Sequence, residues 1–343
     1  MKRHRANSPG TPAQALTRAE ALLRTVCAVA GVTSFLDEID AELREAGLDH
    51  AITLHQTQPI FDWLLTTFSF QGISDRVARD YMERHGRATW GGMETSLQRP
   101  PSCPKLRSYW AYEACRFDKG SHTCSEPDHI DGCPVPLPRL RNGRLNQTAY
   151  SLFLFVRDIA KGDLIGWIGG QLEAAQSTQS VDLEAARQEA LLGPLRNVFG
   201  VSDKVLTMAL SGLLIGARTH QPLWFETGKA MIAVDTLVHN FLHRTGIQES
   251  CGTPHGYGAA CYASGGCAEV IRAVAQLIDA RAFNPKFPAA FPRFVQHAIW
   301  RFCAADGLNL CNANRIDDRK PCQISYCYLY QKCEHKPLKY QQK

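Results

Sequence analysis

Apolar residues recur at helical spacing through most of this 343-residue chain. In the segment 17–49, Leu22, Leu23 and Val26 share one helical face, and charged residues occupy the opposite face. The same spacing returns in 149–159, whereas alternating strand patterns are few. Because 45% of the residues are hydrophobic, the chain can bury a sizeable core. We therefore predict an all-α fold.

The thirteen cysteines require a separate explanation. The basic start, MKRHRANSPGTPAQ, lacks the apolar run of a secretion signal, and no segment approaches the ~20 apolar residues of a membrane span. We therefore expect a monomeric intracellular protein, cytoplasmic and nucleoid-associated if it is bacterial. In that compartment metal ligation is favoured over disulfides. Cys27, inside an apolar helical segment, is expected to be a plain buried side chain.

The segment GVSDKVLTMALSGLL, residues 200–214, predicts a tight turn followed by a helix. Such a turn presents backbone N–H groups that can bind a phosphate without reading base sequence. Lys204 lies in the first turn of this helix, and Asp235 precedes a later helix in IAVDTLVHNFLHRTG. Alone, the lysine is ordinary surface and the aspartate an ordinary N-cap. Together they suggest an amine and a carboxylate serving one site.

In this order, GVSDK and IAVDTLVHNFLHRTG resemble the helix-hairpin-helix DNA glycosylases of the endonuclease III type. FDWLLTTFSFQGISDRVARDYMERHG resembles the opening helices of that family, and GLNLCNANRIDDRKPCQISYCYLYQKC resembles its iron–sulfur loop. The resemblance covers residues 55–94, 145–247 and 290–335. It implies a two-lobed all-α fold.

The resulting domain prediction has three parts. Residues 1–16 form a disordered basic tail. Residues 17–54 and 231–343 form one helical lobe with the cluster loop. Residues 55–230 form the helical barrel lobe, which contains the hairpin and a cysteine-rich insertion at 97–144.

The resemblance also implies an activity, the removal of a damaged or modified pyrimidine from double-stranded DNA by base flipping. Lys204 would be the nucleophile that forms a Schiff base and gives AP lyase activity. Asp235 would be the catalytic carboxylate, and Gln71 would enter the DNA stack. The turn residues implied to contact the DNA backbone are Gly200, Val201 and Ser202.

Two other functions stay open. A monofunctional glycosylase would use water activated by Asp235, and a non-catalytic DNA-binding module would keep only the scaffold. The chain departs from the family pattern at Ser202, where a second glycine is usual. It also departs in the long stretch ARTHQPLWFETGK, which we expect to loop outward.

Four cysteines close in sequence near the C-terminus are sufficient to hold one [4Fe–4S] cluster. A zinc site explains the same ligands, and Cys303 is a possible substitute. In either case we expect the metal to be structural. The four predicted ligands are Cys311, Cys322, Cys327 and Cys333.

The insertion at 97–144 loses helical periodicity and is rich in proline, glycine and cysteine, so we expect it to lack a hydrophobic core. Its four cysteines suggest a second metal, zinc, against the alternative of free thiols, with His122 and His129 as alternative ligands. Its aromatic residues, Tyr109, Trp110 and Tyr112, would stack on bases or form a small local core. The four candidate ligands are Cys103, Cys115, Cys124 and Cys133. A second unusual segment, CGTPHGYGAACYASGGC (251–267), would line a substrate pocket or form a surface loop.

Overall fold

The computed structural model describes residues 11–31, 33–71, 73, 75–98, 102–141, 143–178, 180–312 and 315–338. These residues form α-helices connected by loops and short 3-10 turns, with no β-strand among them. The all-α prediction is confirmed at this level. In the same ranges, no helix is both long and apolar enough to cross a membrane.

The helices have the following bounds: α1 Pro12–Val29, α2 Phe35–Glu45, α3 Leu48–Thr53, α4 Thr57–Ser69, α5 Asp75–His85, α6 Trp90–Leu97, α7 Tyr109–Tyr112, α8 Gly143–Asp158, α9 Leu164–Gln176, α10 Leu183–Leu195, α11 Asp203–Gly216, α12 Pro222–Gly228, α13 Thr236–Thr245, α14 Ile247–Cys251, α15 Cys267–Ala275 and α16 Pro292–Cys303. The chain divides into two compact units, one from 1–38 and 229–343 and the other from 39–228.

The first unit is built on aromatic packing around α16. Phe302 is fully buried, and its ring lies 5.9 Å from the ring of Phe241 in α13, edge to face. Phe294 continues the same buried face of α16, and the buried ring of Phe291, at the N-cap, lies 5.9 Å from the ring of Phe294. Because burial of aromatic side chains dominates core energetics, this face fixes α13, which carries one of the candidate site residues.

The second unit packs around α8, whose residues are buried along most of the helix. Phe61 of α4 lies 5.3 Å from the ring of Trp90 and 6.4 Å from the ring of Phe153 in α8. A helix that is buried on most of its surface occupies the centre of its unit. The hairpin described below is attached to α8.

The disordered tail predicted for residues 1–16 extends too far, because its last residues belong to a helix. The predicted tail, 1–16, lies outside the described residues as far as residue 10, but α1 already begins at Pro12. Thr11 and Gln14 form a capping box, and proline stands in the first turn, so the helix has a defined start there.

Two expectations about loops are wrong. The insertion does have a small core, because Leu106, Tyr112 and Val135 are each at most 1% exposed. The stretch ARTHQPLWFETGK does not loop outward. It forms α12, and burial of Trp224 holds this helix against the unit, with the Ser211 hydroxyl donating to the Gly228 carbonyl at 3.0 Å.

The Phe302→Ala variant tests the aromatic core of the first unit. We expect a loss of about 3 to 5 kcal/mol of unfolding free energy, because the residue is fully buried and leaves a cavity. The control, Leu277→Ala, removes a side chain that is 45% exposed and should cost about 0.5 kcal/mol or less. Denaturant unfolding followed by circular dichroism measures both, and equal losses would contradict the packing described here.

Candidate functional site

The turn between α10 and α11 depends on a single left-handed residue. Gly200 has φ +77°, and a Cβ there would lie 3.0 Å from the Thr148 hydroxyl oxygen. Glycine adopts this conformation without steric cost, and only glycine avoids the close contact. The turn thus requires glycine at position 200. Ser202, two residues later, has an extended backbone and does not require glycine.

Two hydroxyl groups of α8 attach the turn to the core of the second unit. The Thr148 hydroxyl donates to the Phe199 carbonyl at 2.7 Å. The Ser151 hydroxyl accepts from the Phe199 N–H at 2.9 Å. Because both contacts are to backbone atoms, they position the chain just before the turn independently of side-chain packing.

Gln71 makes a reciprocal contact with the same turn. Its amide nitrogen donates to the Gly200 carbonyl at 2.6 Å, and its amide oxygen accepts from the Ser202 N–H at 2.9 Å. Arg141 in turn donates to the Gln71 carbonyl at 2.7 Å. The side chain that the family resemblance assigns to the DNA stack therefore contacts the hairpin backbone in this structure. It uses an N–H group that the resemblance assigns to phosphate.

Lys204 lies in the first turn of α11 and is half-buried. Its neighbour Asp203 pairs with Arg196 at 3.0 Å, and Arg196 also bonds Glu189 at 2.7 Å. In the described part of the chain, Lys204 itself forms no ion pair. The carboxylates around the turn are thus paired with arginine, not with the lysine.

Asp235 is the N-cap of α13, and its carboxylate accepts from the Val238 N–H at 2.9 Å. The residue before it, Val234, donates its N–H to the Tyr262 hydroxyl at 3.0 Å. The capping role anticipated from the sequence is therefore observed, and the carboxylate is half-buried. Lys204 belongs to the unit at 39–228 and Asp235 to the other unit.

The four C-terminal cysteines converge in the first unit. They line one cavity together with Arg244, Phe302 and His335. Burial raises the pKa of Cys333 to about 12, and the neighbouring thiols of Cys311, Cys322 and Cys327 contribute to the increase. The structure therefore brings together all four ligands predicted for the cluster.

Two residues that line the same cavity have buried side-chain nitrogens without a partner in the described part of the chain. The Nε and Nη1 atoms of Arg244 and the Nε2 atom of His335 are buried without a hydrogen-bond partner among the described residues. A hydrogen bond from Cys303 lowers the pKa of Cys311, and the charge of Arg244 acts in the same direction. An anionic group between the thiols would satisfy these donors, because buried polar groups are normally paired.

The four insertion cysteines also come together. Burial raises the pKa of Cys133 to about 11, with contributions from Cys115, Cys103 and Cys124. The Cys124 sulfur accepts from the Glu126 N–H at 3.4 Å. A backbone donor two residues after a cysteine suits a thiolate ligand, because hydrogen bonds to charged sulfur are the stronger ones.

Three aromatic residues of the insertion are predicted either to stack on bases or to form a small local core. Tyr109 and Tyr112 are 5% and 1% exposed, and the Tyr109 ring packs 5.4 Å from the Phe155 ring. Both belong to the local core, which excludes them from stacking on bases in this conformation. Trp110 is 61% exposed and keeps a free aromatic face.

A fourth group was missed by the sequence interpretation. His239, His255, Cys261 and Cys267 place one ligand atom each so that all four lie within 4.8 Å of one another. In the described ranges, no other set of three or more such side chains is this compact. The signal lay in the segment 251–267, which supplies three of these residues, but His239 belongs to a helix read only as part of the family motif.

Comparison with known proteins adds no assignment to these sites, because no protein-family model, curated protein or solved structure matches the chain. The functional argument therefore rests on the residues and their arrangement.

Alanine at Gly200 tests the geometry of the turn. Both Gly200→Ala and the control Gly162→Ala place alanine at a positive φ, +77° and +85°, so both should lose about 1 to 2 kcal/mol. Only at Gly200 does the new Cβ press on Thr148, which bonds the Phe199 carbonyl. We expect an additional loss of about 1 kcal/mol there. Denaturant midpoints of the two variants measure the difference, and equal midpoints would contradict it.

Proposed function

We propose that this protein is a helix-hairpin-helix DNA glycosylase with a two-lobed fold. It removes a modified base, a pyrimidine by the family resemblance, from double-stranded DNA. Lys204 acts as nucleophile and gives the enzyme AP lyase activity. The observation that supports this most is the glycine turn fixed by Gln71 and Thr148, with an unpaired lysine in the first turn of the following helix.

The hairpin would bind the DNA backbone. Its N–H groups lie at the start of α11, where the helix dipole favours an anion. The Ser202 N–H now donates to Gln71. A phosphate oxygen is a stronger acceptor than an amide oxygen because it is charged. Phosphate binding would thus release the Gln71 side chain and leave it available for the base stack.

The chemistry requires an extruded nucleotide, because C1′ of a stacked base is inaccessible. The neutral amine of Lys204 attacks C1′, the C1′–N bond breaks, and the base leaves with the electron pair and takes up a proton. Sugar-ring opening then gives a Schiff base between Lys204 and C1′. Loss of a proton from C2′ expels the 3′ phosphate, and water hydrolyses the Schiff base. Asp235 stabilises the positive charge that develops at the sugar.

The C-terminal cysteines fit an iron–sulfur cluster. Four thiols line one cavity, and Arg244 and His335, which also line it, have buried side-chain nitrogens without a partner among the described residues. Their sulfurs are not as compact as the ligands of a single ion, and a cluster separates its ligands more widely than one ion does. We propose that Cys311, Cys322, Cys327 and Cys333 hold a [4Fe–4S] cluster, which holds the loop in place.

The insertion is a candidate for a further metal of its own. Its four thiols share one neighbourhood, and Cys124 accepts a backbone N–H in the manner of a ligand. These four sulfurs do not lie as close together as the ligands of a single ion, so they must move closer together to bind one zinc ion. Free thiols, the alternative, remain compatible with the small core that holds the insertion.

Borohydride trapping on a duplex containing one abasic site tests the lysine. The wild-type chain should form a covalent adduct, and Lys204→Ala should form none, because the Schiff base needs the amine. Lys286→Ala removes another lysine, one that is 74% exposed and has no role in the proposal, so it should trap like the wild type. Denaturing gel electrophoresis measures the adduct.

The two alternative functions predict different products in the same assay. Duplexes with single modified bases, oxidised pyrimidines first, are tested for base release. Release without an adduct identifies a monofunctional glycosylase. Duplex binding without release of any base identifies a non-catalytic module. In either active form, Asp235→Asn should slow release by on the order of 100-fold or more.

Metal analysis of Cys327→Ser tests the cluster. We expect about four iron atoms per wild-type chain purified without oxygen, and loss of most of them in the variant, because a cubane needs four thiolates. The matched control, Cys251→Ser, alters a half-buried thiol outside the cavity and should keep its iron. Iron assay and the visible spectrum measure this, and loss of zinc in place of iron would refute the cluster.

A further inference from the structure

We infer that His239, His255, Cys261 and Cys267 form a structural zinc site. The ligand atoms all lie within 4.8 Å of one another. This proposal stands independently of the DNA glycosylase activity, because it rests on the arrangement of these four side chains alone.

The distances are those of a single tetrahedral ion. Bond lengths of about 2.3 Å to sulfur and 2.05 Å to nitrogen place neighbouring sulfur and nitrogen ligands about 3.6 Å apart. Nδ1 of His239 lies 3.5 Å from the sulfur of Cys261 and 3.5 Å from that of Cys267. Nε2 of His255 lies 3.3 Å from the Cys267 sulfur.

A hydrogen-bonded cluster explains these contacts less well. A ring nitrogen carries either one proton or one lone pair, so Nδ1 of His239 cannot make two good hydrogen bonds at once. Its equal distances to Cys261 and Cys267 fit a shared centre between the three atoms. The arrangement is therefore that of ligands around one ion.

The neighbouring backbone fixes the tautomer of His255. Nδ1 of this ring lies 2.7 Å from the Thr253 carbonyl oxygen. Because a carbonyl only accepts, Nδ1 carries the proton and Nε2 keeps its lone pair toward the sulfurs. Metal-binding histidines typically have such an outer hydrogen bond.

Because the site is buried, its ligands and the ion together should carry no net charge. Cys261 and Cys267 are fully buried, and His239 is 7% exposed. Two thiolates and two neutral imidazoles around Zn²⁺ give no net charge, so the ion can be buried without an unpaired charge. A tetrahedral set of two sulfurs and two nitrogens is typical of zinc, and four protein ligands leave no open position. The site is therefore structural, not catalytic.

The loop that carries three of the ligands is preorganised. The buried side chain of Gln248 donates to the Thr253 carbonyl at 3.0 Å and to the Gly265 carbonyl at 2.7 Å, which closes the loop at its base. A Cβ at Gly266 would lie 2.3 Å from the Ala260 carbonyl oxygen. The ion would join this loop, which ends at Cys267 in the first turn of α15, to His239 in α13.

Zinc content of the full chain, measured by mass spectrometry, tests the site. Cys267→Ser and His255→Ala should each lose about one zinc ion per chain relative to the wild type. Cys251→Ser, in the adjacent helix α14 but outside the ligand set, should lose none. Because the measurement is a difference between variants, metal bound elsewhere in the chain does not affect it.

Other outcomes have defined meanings. If Cys267→Ser fails to fold, His255→Ala decides, because its side chain is only half-buried and leaves less of a cavity. Cobalt substitution of the wild type should give the intense visible bands of tetrahedral thiolate coordination, weakened in His255→Ala. Unchanged zinc in a soluble ligand variant, or loss of iron in place of zinc, would overturn the assignment.

Discussion

Segments with little regular secondary structure need a source of stability beyond helix packing, and this protein gathers cysteine sulfurs in each of them. The insertion, the loop at 252–267 and the C-terminal tail contain little regular structure. In each one, thiols from distant positions come together. A free thiol contributes little more than a small hydrophobe, so this convergence has a physical explanation if the sulfurs bind metal, whose binding energy is then folding energy.

The first unit contains two of these cysteine groups, whereas the second unit contains one. Its helix α13 is fixed on one side by aromatic packing between Phe241 and Phe302. At its start, Asp235 caps the helix, and one turn later His239 belongs to the compact group of histidines and cysteines. At its end, Arg244, which has buried side-chain nitrogens without a partner among the described residues, lines the cysteine cavity. A single helix of ten residues and its N-cap thus carry the candidate carboxylate, one residue of the proposed zinc site and an arginine that lines the cysteine cavity.

In the second unit the candidate site relies on hydrogen bonds to backbone atoms. Thr148 and Ser151 hold the Phe199 peptide, and Gln71 bonds both sides of the glycine turn. Hydrogen bonds of this kind define position without adding apolar contact. In the proposed contact with a DNA backbone, Thr148 and Ser151 would hold the turn from the α8 side, and a phosphate would take the Ser202 N–H that Gln71 now occupies.

The sequence by itself determined the helical class and the glycine turn, since both follow from local rules: apolar spacing for helices and a positive φ for glycine. It also identified the tail and insertion cysteines as sets, because each set is contiguous in sequence. Only the tertiary structure showed that the helix Pro222–Gly228 packs against its unit through Trp224, that Tyr109 and Tyr112 form a core, and that Gln71 bonds the hairpin. It alone joined His239 to the loop at 252–267, because a ligand on a helix shows no sign in the sequence of which distant loop it will meet.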